Sequence, residues 1–176
     1  LMECIIHAFP DEYNIHCMDT ILDTCTRLVP SVDVKGLFIS LMEKLAKFVG
    51  DTSKDQTEIL ESAEKIFDLL KTNIDKIIND NSSGNMENLK LIELQVAFMK
   101  FTLKCCPNKL ETVNHIMQSS EKILSKSKND VKKSQEGIKL VGRLLSAPLE
   151  STLSIFDLPN FPILMDYLDF SSRSTL

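Results

Sequence analysis

The chain has 176 residues, 43% of them hydrophobic, which suits one domain or a run of repeats and excludes global disorder. Its net charge of −5 weighs against nucleic acid, because phosphate binding needs concentrated Lys and Arg. There is no Trp and there are only five Gly, so helix is favoured over sheet.

No window approaches 18 consecutive apolar residues, so no transmembrane segment is expected. No charged stretch followed by an apolar run opens the chain, so no signal peptide is read. LMECIIHAF looks like the middle of a helix and SSRSTL like the start of another element, so both ends read as cuts through a longer protein. The basic cluster at 122–133 contains no aromatic residue and reads as a solvated helix end and loop, with contact to an acidic lipid or protein surface as the alternative. The cysteines are Cys4, Cys17, Cys25, Cys105 and Cys106. No CxxC spacing occurs, and adjacent Cys105 and Cys106 cannot bridge without strain. All five read as reduced thiols, mostly packed as small hydrophobes.

In chain order, residues 1–8 read as a helix tail stopped by FPDE at 9–12. A second helix is expected over 15–29, broken by Pro30 and Ser31. Asp33 caps a third over 34–49, with Gly50 just past its end. Residues 51–56 are loop. A fourth helix over 57–79 carries one apolar stripe: Ile59, Ala63, Ile66, Phe67, Leu70, Ile74, Ile77 and Ile78. NDNSSGN at 79–85 is the most loop-like segment.

The fifth helix, 86–106, is apolar nearly all round. Lys90, Glu93, Lys100 and Lys104 recur at helical spacing and predict one narrow exposed line. Pro107 suits the first position of a sixth helix over 108–127. After a loop at 125–130, a seventh helix is expected over 131–146, burying Ile138, Val141, Leu144 and Leu145. Gly137 and Gly142 weaken it by up to about 1 kcal/mol each relative to Ala, with close helix contact at Gly142 as the alternative. Pro148 opens a short helix to about 156, DLPNFP makes a corner, and 163–168 forms a last short helix.

No strand or hairpin signal appears, and helices joined by short links lie antiparallel as neighbours. Apolar runs ending in Pro recur as AFP, LVP, CCP and SAP, a degenerate repeat mark. Helix pairs of roughly 40 to 47 residues fit the armadillo and HEAT class, so the fold expected is an all-α helical-repeat α-solenoid, one segment over 1–176.

Catalytic chemistry finds no support in the residues. Glu3–His7, Glu12–His16 and Glu111–His115 share helix faces, but a metal needs further converging ligands, and no HExxH occurs. GxxxxGK[ST], GxGxxG and GxSxG are absent. Cys105 or Cys106 would need a base brought from elsewhere, and Met42, Met86, Met99 and Met117 lie on core stripes. No catalytic, cofactor-binding or metal residue is assigned, and no enzyme activity is expected.

Two blocks carry more. LMECIIHAFPDEY at 1–13 and VDVKGLFISLMEKLAKF at 32–48 closely resemble the large subunit of retromer, the vacuolar protein sorting-associated protein 35 family. The pattern returns at LLSAPLE (144–150) and FPILMDYLDFSSRS (161–174), while 51–85 and 119–136 depart from it. The resemblance implies a HEAT-like α-solenoid, a curved rod that holds an arrestin-like subunit near its N-terminus. A phosphoesterase-like subunit sits in its C-terminal half. It implies a peripheral place on the cytosolic face of endosomes and retrieval of cargo to the Golgi or cell surface. Sorting nexins and cargo tails are further implied partners. The family's Pro-Arg-Leu-Tyr-Leu motif for the arrestin-like subunit is absent, so the chain resembles a middle stretch and no site residue carries over.

Overall fold

Helix is the only regular secondary structure among the described residues, and the expected all-α class of a helical-repeat α-solenoid is borne out. The computed structural model describes residues 4, 8, 10–26, 34–51, 56–80, 85–106, 109–126, 134–150 and 157–174. Within these, the chain forms two compact units.

The first unit contains α1 (Asp11–His16), α2 (Met18–Thr26), α3 (Val34–Asp51) and α4 (Gln56–Asp80), with residues 104–106. Of the helix tail expected at 1–8, Cys4 and Ala8 are helical and the rest lies outside the described residues. The helix expected over 15–29 begins sooner, at Asp11, and is interrupted at Cys17. Pro10 permits the early start because its carbonyl accepts the Asn14 N–H at 3.2 Å, while its own missing N–H falls where no helical bond is needed. Cys17 donates to the Tyr13 carbonyl and accepts from Ile21, both at 2.9 Å, so the interruption costs little hydrogen bonding. The break at Pro30 and Ser31 and the Asp33 cap lie outside the described residues.

The core of this unit is built from one face of each long helix. Met18, Ile21, Leu22 and Cys25 of α2 are buried, as are Leu37, Phe38, Leu41, Met42 and Leu45 of α3. Ile66, Phe67, Leu70 and Ile74 of α4 complete it. Each such side chain contributes roughly 1.5–3 kcal/mol on leaving water. α2 packs against α1, α3 and α4, so the short helix is the hub. The α4 stripe fades to half-buried at Ile77 and Ile78, and the side chains of Ile59 and Ala63 lie outside the described set. Gly50 lies inside α3 rather than beyond it. At the last turn of a helix a glycine costs less stability than it would mid-helix.

The second unit contains α5 (Asn85–Cys105) up to residue 103, α6 (Leu110–Lys126), α7 (Gln135–Glu150), α8 (Phe161–Met165) and α9 (Phe170–Arg173). Pro107 lies outside the described residues, and α6 begins two positions later than expected, with the Lys109 carbonyl accepting from Thr112 and Val113. Val113, Ile116, Met117, Ile123 and Leu124 of its apolar stripe are buried, while Leu110 at its start is only half-buried.

α7 departs most from the sequence reading. It starts at Gln135, where the Ser134 hydroxyl accepts the Gly137 N–H at 3.2 Å as an N-cap. It then runs through Pro148 to Glu150, so Pro148 lies inside this helix rather than at the start of a new one. Its missing N–H forfeits one helical bond, and its ring is buried. Residues 151–156 lie outside the described set. Of the two readings of Gly142, close helix contact is not the one found: a Cβ there would meet nothing within 4 Å.

Beyond α7 the chain turns a corner. α8 packs on α6 and α7, and α9 packs on α7. The last helix expected over 163–168 is instead α8 ending at Met165, a turn, and then α9. Phe161, Leu164, Tyr167 and Leu168 face the interior and hold the corner down. The Asn114 amide of α6 donates to the Asp157 carbonyl at 3.2 Å, a second tie across 43 positions of sequence.

Candidate functional site

Cysteine and histidine are the strongest candidates for nucleophilic and metal chemistry in this chain. Cys25, Cys105 and Cys106 are buried, Cys17 is half-buried and Cys4 is exposed, and all five are free thiols. Burial, with the adjacent Cys106 second, pushes the Cys105 thiol up to about 12, against a small opposing pull from Lys104. Burial alone raises Cys25. These are packing thiols, and their environments suppress the thiolate that attack or metal binding requires. Among the described residues no three His, Cys, Asp or Glu side chains converge on a point that could hold a metal ion. His16 is exposed and His115 half-buried, while Glu3 and His7 lie outside the described set. Met42, Met99 and Met117 are fully buried core residues, as expected, and the side chain of Met86 lies outside the described set.

The exposed line predicted for α5 is present. Lys90, Glu93, Lys100 and Lys104 are all exposed, whereas every other residue from Leu91 to Thr102 is buried. One feature of that helix escaped the sequence reading. Asn88, Gln95 and Thr102 follow each other at seven-residue spacing, and at 100° per residue they lie roughly opposite the lysine line. Thr102 satisfies itself by donating to the Phe98 carbonyl at 2.8 Å. Gln95 is 1% exposed, and its Oε1 has no hydrogen-bond donor. The sequence shows only a polar residue flanked by Leu94 and Val96, which places Gln95 on an apolar face without telling whether its amide finds a donor.

The corner after α7 offers the most exposed large apolar side chain among the described residues. Phe170 is 88% exposed, and Ile163 is 47% exposed. Between them lies an ion pair, Arg173 Nη2 to Asp166 Oδ1 at 3.4 Å. Arg173 Nε also donates to the Leu168 carbonyl at 3.1 Å. Asp169 caps α9 by accepting the Ser172 N–H at 2.7 Å, and that hydrogen bonding holds its carboxyl below the usual range. Burial, then the charge of Glu121 on α6, raises the phenol of Tyr167. The corner is therefore fixed by polar ties at its rim and apolar side chains beneath it. What it can do chemically is present an apolar contact beside an ion pair. The sequence FPILMDYLDF hinted at this, because a short helix with apolar residues at most positions cannot bury them all.

In the first unit Tyr13 is 48% exposed, and its phenol is held above its ordinary value, first by its hydrogen bond with Cys17. No helix in the described residues is long and apolar enough to cross a membrane.

Comparison with known proteins then gives the lineage. The family model described as vacuolar protein sorting-associated protein 35 matches residues 1–176. Vacuolar protein sorting-associated protein 35 of Dictyostelium discoideum is 32% identical over 98% of the chain. Proteins 35B and 35A of Arabidopsis thaliana are 33% identical over 100% of the chain and 31% identical over 98%. In each case the chain spans 22% of the relative's own length. With the family match running from end to end and an all-α fold beneath it, this chain belongs to the vacuolar protein sorting-associated protein 35 family.

Proposed function

We propose that residues 1–176 form one α-solenoid segment of a retromer large subunit and act as a scaffold in endosomal protein sorting. The segment links the partner-binding ends of a longer rod during endosome-to-Golgi retrograde transport. It sits peripherally on the cytosolic face of endosomes and has no catalytic role of its own. The arrestin-like and phosphoesterase-like subunits engage mainly other regions of the full-length protein, and sorting nexins and cargo tails are further partners. The observation that carries this reading is the end-to-end family match. One helix supports it physically: α5 exposes a thin charged line between residues 90 and 104 and buries nearly all the rest, which suits an element that packs on its neighbours.

The test is an internal deletion of this segment from the full-length subunit. Each partner subunit should still bind in pull-down assays, while small-angle scattering should report a shorter assembly. Tight binding of either partner subunit by the isolated segment would overturn the spacer role.

A second reading, a cargo-peptide module, is favoured by one observation, the exposed Ile163 and Phe170. It requires exposed apolar residues lined up along successive helices. In the second unit those two are the large exposed apolar side chains among the described residues, too few for such a line.

A further inference from the structure

We draw no further inference here: the strongest candidate, the exposed Ile163 and Phe170 side chains flanking the Asp166–Arg173 ion pair at the corner of α8 and α9, is an apolar face for which nothing in the structure shows what covers it.

Discussion

Gln95 places an uncompensated carbonyl in an otherwise apolar layer. A buried acceptor without a donor costs about 1–3 kcal/mol, and leucine has nearly the same volume. Gln95→Leu should therefore raise stability by about 1 kcal/mol in urea unfolding. A loss of that size would mean that the carboxamide has a donor. The cysteines permit a second check. Brief treatment with iodoacetamide at mildly alkaline pH should label Cys4 first. Cys105, with its thiol near 12, and Cys25 should react only when the chain unfolds. Peptide mass spectrometry reads the order directly, and early labelling of Cys105 would contradict its burial. Both behaviours bear on what the sequence could reveal. The cysteines were legible as small hydrophobes because their neighbours are apolar. Gln95 was not, because spacing marks which face a residue occupies but not whether its amide finds a donor.

Helices that carry one unbroken apolar stripe were readable to within a residue or two. α4 is the clearest case, since Ile66, Phe67, Leu70 and Ile74 fix both its register and its buried face. α7 was misread at both ends for separate reasons. Ser134, rather than the residues before it, supplies the cap, and Pro148 falls late enough to be tolerated. Gly142 belongs to the same helix and suffers no crowding, so its missing side chain is a net cost. Gly142→Ala should stabilise the protein by about 0.5–1 kcal/mol, visible as a higher melting temperature in calorimetry. A lower melting temperature would show that a close neighbour does exist. At the corner, the two phenylalanines should part company. Phe161→Ala should cost about 3–5 kcal/mol. Phe170→Ser, on a side chain already in water, should change stability by less than about 0.5 kcal/mol. Denaturant midpoints of the two variants decide the matter, and comparable losses would place Phe170 in a packed environment. This contrast was hidden in the sequence, where both residues simply follow a polar one.

For the whole molecule, the all-α class was legible from composition and periodicity because long helices need only local information. The division into two units was not. It depends on which apolar faces meet, and a single sequence states faces without stating partners. The same gap separates the family assignment from the role proposed for it, so the deletion and scattering experiment belongs at this scale. It reads a length, which no single side chain encodes. A different consequence follows from α5. Between residues 90 and 104, four positions point into water, while nearly all the others are enclosed. Such a helix has very little room for neutral drift. Random substitution there should be purged everywhere except along the lysine line, and that line becomes the one place in the helix where selection can write a new surface without first rebuilding the interior.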